Sequence, residues 1–291
     1  MPHPSTSSAY GIWSLNEVRD AERGDNWPRL PVGFALSSAV YDSVSFSVAS
    51  QEDSPLGLTF NSTGTKMFIV GSTGDDVNEY ALSTAFDIST ASFTTNFSVS
   101  SQETIPTELA FNGDGTKMFI LGYDNSGQVS QYSLSTGFDV STASYDSVNF
   151  SVSSQTTQPL GMTFNNDGTK MYVSGSSDII YQYSLSTGFD MSTASYDSVS
   201  FSVTTEETNP NGIVFNTDGT KLFVVGSTGD DVGQYTLSTA FDISTASFDS
   251  ISFSVASQDT SPQGIAFNNN GSKMYIIGTG SDAVYQYTTE E

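Results

Sequence analysis

Thr-Lys-Met-Phe-Ile stands at residues 65–69 and again at 116–120, and three close variants follow at 169–173, 220–224 and 272–276. Each copy keeps one lysine, and the five lysines are Lys66, Lys117, Lys170, Lys221 and Lys273. The repeat is therefore 51 to 53 residues long. A repeat of this length that carries several short strands is typical of a β-propeller blade and not of a helical solenoid.

A single repeat contains four segments with strand character, for example at 108–111, 117–121, 129–134 and 145–152. Asn-Gly-Asp-Gly at 112–115 separates the first two, because glycine accepts the positive φ of tight hairpin turns. In the last segment, apolar residues alternate with polar ones. This pattern predicts four antiparallel strands per blade, which we name a, b, c and d from the propeller axis outwards.

The two ends of the chain carry complementary parts of a blade. Strand d occurs five times, at 41–48, 93–99, 145–152, 196–203 and 248–255. The first copy has no strands a to c before it, and the last repeat stops after a strand c at 284–287. Pairing the two removes two unpaired sheet edges. The sequence thus predicts an all-β fold, a five-bladed β-propeller at 35–291 whose last blade is closed by an N-terminal strand.

Composition narrows the function classes. The chain has 32 acidic and 8 basic residues, a formal net charge of −24. Such a surface repels phosphate backbones and anionic lipids, so we expect neither nucleic acid nor membrane as a partner. The sequence has no cysteine, which excludes disulfides and thiol chemistry. Residues 1–30 lack a basic start followed by an apolar segment, so no secretory leader is expected.

Residues 1–34 form an arm that differs from the repeats and holds both tryptophans and all three arginines. Ser14 followed by Glu17 is a capping-box pattern, and Gly24 fits a helix end, so one short helix is predicted at about 15–23. So short a segment cannot bury its apolar residues alone. It packs either on its own propeller or, as we expect, on a partner protein. The expected anchoring residues are Trp13, Leu15, Val18, Arg19, Arg23, Trp27 and Arg29.

Two resemblances follow from these residues. The run at 11–28, with Gly-Ile-Trp-Ser-Leu at its start and Gly-Asp-Asn-Trp-Pro at its end, resembles a segment of marine bacteriophage structural proteins of the tail-fibre or head-fibre type. The repeat core, Pro-x-Gly followed by Phe-Asn-x-Asp-Gly-Thr-Lys, resembles lactonase-like propeller repeats of the YVTN type. Together the resemblances imply a virion surface protein, with the arm as anchor and the propeller as display domain.

Catalysis has little support in the sequence. A catalytic group needs a partner within hydrogen-bond reach, yet there is no cysteine, and the one histidine, His3, lies in the arm. Carboxylates that project into the central funnel serve five-bladed glycosidases. Here Glu108 is the one charged residue at an inner-strand position where the other repeats have glycine, which we attribute to crowding near the axis. We therefore predict that the chain is not an enzyme. The four glycines are Gly57, Gly161, Gly212 and Gly264.

The turns between strands b and c and the links between strands d and a are acidic and share one face of the ring. Asp75, Asp76, Asp230 and Asp231 are candidate calcium ligands, although no EF-hand spacing exists and solvated turn residues are the alternative. No other cofactor is expected. Variable loops on a rigid ring suit recognition. The candidate ligand-binding residues of these loops are Tyr123, Asp124, Asp178 and Asp282, and Tyr181 is either a stacking residue or core.

The functional prediction is a phage virion structural protein that displays a propeller for host-surface recognition, as a tail fibre or receptor-binding protein. A capsid decoration or head-fibre protein is the alternative, and a carbohydrate-binding, lectin-like adhesin is the third. The expected partners are other virion proteins, a host glycan or protein, and further copies of the chain, because weak sites gain strength when several copies act together.

Overall fold

Five four-stranded antiparallel sheets make up the computed structural model, which describes residues 33–124 and 127–290. The innermost strands contact one another in cyclic order, so that the sheets form a closed ring. The strand order in four sheets follows the chain, whereas the fifth sheet has the order β1-β20-β19-β18. The predicted five-bladed propeller is confirmed.

The strands have nearly equal lengths in all blades. Blade 1 contains β2 Pro55–Phe60, β3 Lys66–Gly71, β4 Asp76–Leu82 and β5 Ala91–Ser98. Blade 2 contains β6 Pro106–Phe111, β7 Lys117–Gly122, β8 Gln128–Leu134 and β9 Ala143–Ser151. Blade 3 contains β10 Pro159–Phe164, β11 Lys170–Gly175, β12 Ile179–Leu185 and β13 Ala194–Ser202. Blade 4 contains β14 Pro210–Phe215, β15 Lys221–Gly226, β16 Asp231–Leu237 and β17 Ala246–Ser254. Blade 5 contains β18 Pro262–Phe267, β19 Lys273–Gly278, β20 Ala283–Thr288 and β1 Val40–Ser47.

Short 3-10 turns precede each strand d, at Leu36–Ser38, Ile88–Thr90, Val140–Thr142, Met191–Thr193 and Ile243–Thr245. A glutamine or glutamate on strand c of one blade accepts a hydrogen bond from the first backbone N–H of such a turn in the next blade. The four bonds are Val140 to Glu79 at 3.1 Å, Met191 to Gln131 at 2.9 Å, Ile243 to Gln182 at 3.2 Å and Ile88 to Gln286 at 3.3 Å. Buried hydrogen bonds therefore join neighbouring blades in addition to apolar packing.

The composite blade closes as the sequence predicts. Strand β1 pairs antiparallel with β20, from Val40 opposite Thr288 to Ser47 opposite Ala283. An ion pair of 2.6 Å between Lys273 Nζ and Asp42 Oδ2 joins the two chain ends. Phe34, at the end of the predicted arm, packs on the propeller with its ring 5.1 Å from that of Phe267. The division at residue 34 stays a prediction.

The inner-strand glycines are crowded near the propeller axis, as the sequence predicts. A Cβ atom on Gly161 would lie 2.5 Å from the carbonyl oxygen of Asn211 on the next inner strand. A Cβ on Gly212 would lie 2.8 Å from Gln263 O, and one on Gly264 would lie 2.8 Å from Leu56 O. Contacts this short do not occur for real Cβ atoms, so glycine is needed at these positions for the inner strands to approach this closely.

Within the part of the chain that the structure describes, no helix is long and apolar enough to cross a membrane.

Removal of strand β1 should destabilise the ring, because it bares the edge of β20 and removes Leu36, which is buried in an apolar cluster with Phe223 and Ile276. We expect deletion of residues 1–48 to lower Tm by at least about 10 °C relative to deletion of residues 1–32. Thermal unfolding followed by circular dichroism measures the difference. Equal melting of the two truncated chains would contradict closure by β1.

Candidate functional site

Four carboxylates on the acidic face, the face formed by the b–c turns and d–a links, are buried. They occupy the same position of each d–a link and have exposed fractions of only 1 to 4 %. The four are Glu52, Glu103, Glu207 and Asp259, and Thr156 takes the fifth position. None of these four residues was among the candidates predicted from the sequence, and the structure buries all of them.

Backbone N–H groups hold these carboxylates. Glu52 accepts hydrogen bonds from Ser54 N at 3.0 Å, Thr73 N at 3.0 Å and Gly74 N at 3.2 Å. The first donor belongs to the d–a link and the other two belong to the b–c turn. Each carboxylate therefore ties two loops of one blade together. The equivalent donors are Ile105 and Asp124 for Glu103, Asn209 and Thr228 for Glu207, and Ser261 and Gly280 for Asp259.

Every strand b ends in a glycine because the side chain from the d–a link lies against that position. A Cβ on Gly122 would lie 1.8 Å from Glu103 Cδ, and a Cβ on Gly226 would lie 2.1 Å from Glu207 Cδ. The pairing of an acid in the link with a glycine at the strand end is a single packing unit, repeated around the ring.

The aspartates of the b–c turns have a backbone role. Asp75, Asp178, Asp230 and Asp282 all adopt positive φ, between 48° and 62°, which Asp tolerates better than most residues. The carbonyl oxygen of each accepts a hydrogen bond from the valine that follows strand d, for example Val99 N to Asp75 O at 2.8 Å. In blade 2 the same bond is made by Gly127, with φ of 89°. Turn geometry thus explains these acids.

The calcium candidates do not form a binding group. Asp76 Oδ2 instead accepts a hydrogen bond of 2.5 Å from Asn96 Nδ2 on strand d. Burial, with Asp76 and Asp124 nearby, raises the pKa of the Asp75 carboxyl, and burial together with Glu207 and Asp230 raises that of Asp231. No group of three or more His, Cys, Asp or Glu side chains in 33–124 and 127–290 is arranged to hold a metal ion.

Tyr123 is exposed and is fixed by polar neighbours of the next blade. It is 36 % exposed, and Val40 and Phe93 are the other exposed large apolar residues of the described ranges. Its hydroxyl accepts a hydrogen bond from Gln158 Nε2 at 2.9 Å, and Gln158 Oε1 accepts one from Ser176 Oγ at 2.7 Å. We call Tyr123, Gln158 and Ser176 the tyrosine patch. It joins the b–c turn of blade 2 to two loops of blade 3.

The other candidates of the loops lie at different places. Asp124 follows Tyr123, and its N–H donates to Glu103 Oε1 at 2.8 Å. Tyr181 is core, with an exposed fraction of 8 %. Asp282 lies in blade 5, where burial and the neighbouring Asp53 and Asp259 raise the pKa of its carboxyl. Gln158 and Ser176 had no signal of their own in the sequence, since they lie 35 and 53 residues from Tyr123.

The seven predicted anchoring residues of the arm, and its predicted helix, lie outside the described residues.

A second candidate site is a cavity on the propeller axis. Its volume is about 170 Å³, its walls include apolar side chains of the inner strands, among them Leu58, Met162, Ile213 and Ile265, and more of its surface is polar than apolar. Glu108 also lines it, and its exposed fraction is 5 %. The cavity reaches the a–b turns, which are on the face opposite to the acidic face, and Asn61, Ser62 and Asn269 stand at this end.

Burial raises the pKa of the Glu108 carboxyl well above its usual range, although backbone N–H groups of Leu109 and Leu58 oppose the shift. The Leu109 N–H donates to Glu108 Oε1 at 3.0 Å. In the described part of the chain the ion pairs are those of Lys66, Lys117 and Lys273, and none includes Glu108. A buried carboxyl with no cationic partner is uncommon, and such groups concentrate at functional sites.

Comparison with known proteins supports the fold and leaves the activity open. No protein-family model and no curated protein matches the chain. Among 1259 matching solved chains, a functionally unknown protein from Desulfotomaculum acetoxidans is 11 % identical with a TM-score of 0.48, and the match covers 77 % of this chain and 62 % of that one. A luciferin-regenerating enzyme is 12 % identical with a TM-score of 0.52, covering 84 % and 95 %. A candidate 6-phosphogluconolactonase from Bacteroides uniformis is 11 % identical with a TM-score of 0.47, covering 76 % and 63 %.

These comparisons correct one prediction. The sequence-based conclusion that the chain is not an enzyme does not stand, because the luciferin-regenerating enzyme shares its architecture and Glu108 is a buried axial acid with a raised pKa. The absence of a cysteine or histidine in the ring was too weak a ground for excluding catalysis. At 12 % identity the likeness concerns the fold alone, so the reaction of that enzyme is not transferred.

Gly122→Ala should destabilise the protein by about 1–3 kcal/mol, because the new Cβ displaces Glu103 and leaves the N–H groups of Ile105 and Asp124 without an acceptor. Gly113→Ala is the matched control, since nothing lies within 4 Å of a Cβ there. We expect that control to change the free energy of unfolding by less than about 0.5 kcal/mol in urea titrations. Equal effects of the two substitutions would contradict the packing unit.

Glu108→Gln should stabilise the protein increasingly as pH rises. The raised pKa means that the fold favours the protonated acid, so its contribution is complete below the unfolded-state pKa and is lost as pH rises through the folded-state pKa. Urea titrations from about pH 5 to about pH 9 compare the variant with the wild type. Glu290→Gln, the same substitution at an exposed position, is the control and should show no such trend. A constant difference for Glu108→Gln would contradict the raised pKa.

Proposed function

We propose that the chain is a surface-recognition protein whose acidic face binds a glycan of a host cell, with the tyrosine patch as the contact site. The observation that carries this proposal is the exposed Tyr123 ring, held by Gln158 and Ser176. An aromatic face beside a fixed amide matches the apolar face and the hydroxyl groups of a sugar ring. The hydrogen bonds fix the side chains before binding, which reduces the entropy cost of binding.

The rest of the acidic face supports the proposal by its rigidity. The buried carboxylates Glu52, Glu103, Glu207 and Asp259 each hold a d–a link to a b–c turn. Loops tied down in this way present their outer residues at constant positions, as recognition requires. A negatively charged face also disfavours acidic glycans, so the proposal is limited to neutral or amino sugars.

The location in a virion belongs to the same proposal. It is supported by the resemblance of residues 11–28 to phage structural proteins and by the tryptophans and arginines gathered in the arm. In this arrangement the arm attaches the chain to other virion proteins, and several copies together give a weak sugar site useful avidity. Capsid decoration is the competing role, and it requires no sugar binding.

Tyr123→Ala should abolish glycan binding and leave the fold intact, because loss of a stacked aromatic ring removes most of the contact energy of a small sugar site. The full chain, labelled and multimerised, is applied to a printed array of neutral and amino oligosaccharides. Phe93→Ala, which removes another exposed ring on blade 1, is the matched control and should bind as the wild type does. Binding that survives Tyr123→Ala, or no binding to any sugar by the wild type, would reject the proposal.

A further inference from the structure

The axial cavity and Glu108 have no part in the tyrosine patch, because the cavity opens on the opposite face of the ring. Five equivalent inner-strand positions surround the axis, and four are glycine. The fold therefore does not need a side chain at this position. Glu108 brings a carboxyl into the ring nonetheless, at the cost of removing an acid from water.

The cavity has the composition of a site for a small amphipathic molecule. Leu58, Met162, Ile213 and Ile265 supply apolar surface, and Asn61, Ser62 and Asn269 supply a polar rim. Glu108 is the one titratable side chain among the described residues that line it. The volume of about 170 Å³ is close to that of a protein cavity known to hold one benzene molecule, about 150 Å³. A ligand of a few carbon atoms with one polar end fits these limits.

The mouth of the cavity is open on one side. Hydrogen bonds join neighbouring a–b turns, from Asn269 Nδ2 to Ser62 O at 2.7 Å and from Thr217 Oγ1 to Asn269 O at 3.1 Å. Asn166 Nδ2 joins Thr217 O in the same way at 2.8 Å. The turn of blade 2 has Gly113 at this position, with open space where a side chain would stand. Gly113 has no side chain with which to make such a bond.

From this geometry we propose that the axial cavity binds a small primary alkylammonium ion, with the ammonium group paired to the Glu108 carboxylate and the hydrocarbon part against the inner strands. The charge follows from the surroundings, because a chain of net charge −24 attracts cations and repels anions. No described lysine or arginine lines the cavity to compete for the carboxylate. The proposal does not depend on sugar binding at the tyrosine patch.

Binding should release a proton. Without ligand, burial raises the pKa of the Glu108 carboxyl and so favours its protonated form. An ammonium ion beside it favours the carboxylate, so the acid proton leaves to solvent as the ion pair forms. The residues that face Glu108 across the cavity are apolar or neutral, and no second titratable group of the described lining is available to take up this proton.

The test is isothermal titration of the full chain with n-butylammonium chloride in two buffers of different ionisation enthalpy at neutral pH. The expected result is one site per chain, with a difference in apparent binding heat between the two buffers that shows a net release of protons. Glu108→Gln should weaken binding at least about tenfold, because it removes a charge-assisted bond and keeps the size of the side chain. Asp53→Asn, at an exposed position on the opposite face, is the matched control and should bind as the wild type does.

n-Butanol, which has the same hydrocarbon part and no charge, should bind at least about tenfold more weakly than n-butylammonium. Equal affinity for the two compounds, unchanged binding in Glu108→Gln, or no heat of binding at all would each overturn the proposal. The circular dichroism spectrum of Glu108→Gln confirms that the variant is folded before its affinity is measured.

Discussion

Everything in the ring depends on how closely five inner strands approach one axis. At Gly161, Gly212 and Gly264 a Cβ would lie within 2.9 Å of atoms of the neighbouring strand or of a side chain facing the axis. At these positions the backbones of neighbouring inner strands lie in direct contact, with no room for a side chain between them. A side chain at this position of an inner strand is therefore an exception. Glu108 is the one that remains, and it reaches over Gly57, where a Cβ would lie 2.7 Å from its Oε1 atom.

A second constraint governs the acidic face. At the end of each strand b a glycine leaves space for a side chain from the d–a link, and in four blades that side chain is a carboxylate held by backbone N–H groups. Part of the acidity of the chain is therefore internal scaffolding and not surface charge. The turn aspartates serve the backbone as well, since their positive φ presents a carbonyl to the end of strand d. The residues available for ligand binding are the few that belong neither to the contacts between carboxylates and glycines nor to the hydrogen bonds of the turn aspartates.

The repeat made the architecture predictable. The length of the repeat predicted one propeller blade per repeat. The unmatched strands at 41–48 and 284–287 predicted that the two chain ends share a blade, and the pairing of β1 with β20 confirms this. The functional features were harder for physical reasons. Glu52 and Asp53 are neighbours in one acidic link, yet Glu52 is buried and Asp53 is exposed. Glu52 lies against the strand-end Gly71 and is held by backbone N–H groups, and neither contact can be read from the composition of the link. Tyr123 was visible as a candidate, but its partner Gln158 belongs to the next repeat. The absence of familiar catalytic residues was used to exclude enzymes, and the comparisons removed that exclusion.

Differences between the blades separate structural residues from candidate sites. At the rim, Lys117 and Lys273 pair with aspartates of strand d, Asp146 and Asp42. Strand β5 has Thr94 where those strands have the aspartate, and there Lys66 pairs at 2.7 Å with Glu79 on strand c. In blade 1 the carboxylate is on strand c instead of strand d, and the lysine still forms an ion pair. This difference is therefore compensated within the blade. Glu108 replaces glycine with no cation beside it in the described structure, and Tyr123 replaces small turn residues while its ring faces solvent. A residue that differs from its equivalents in the other blades, and whose difference is not compensated within its own blade, is therefore the best candidate for contact with a ligand or partner protein.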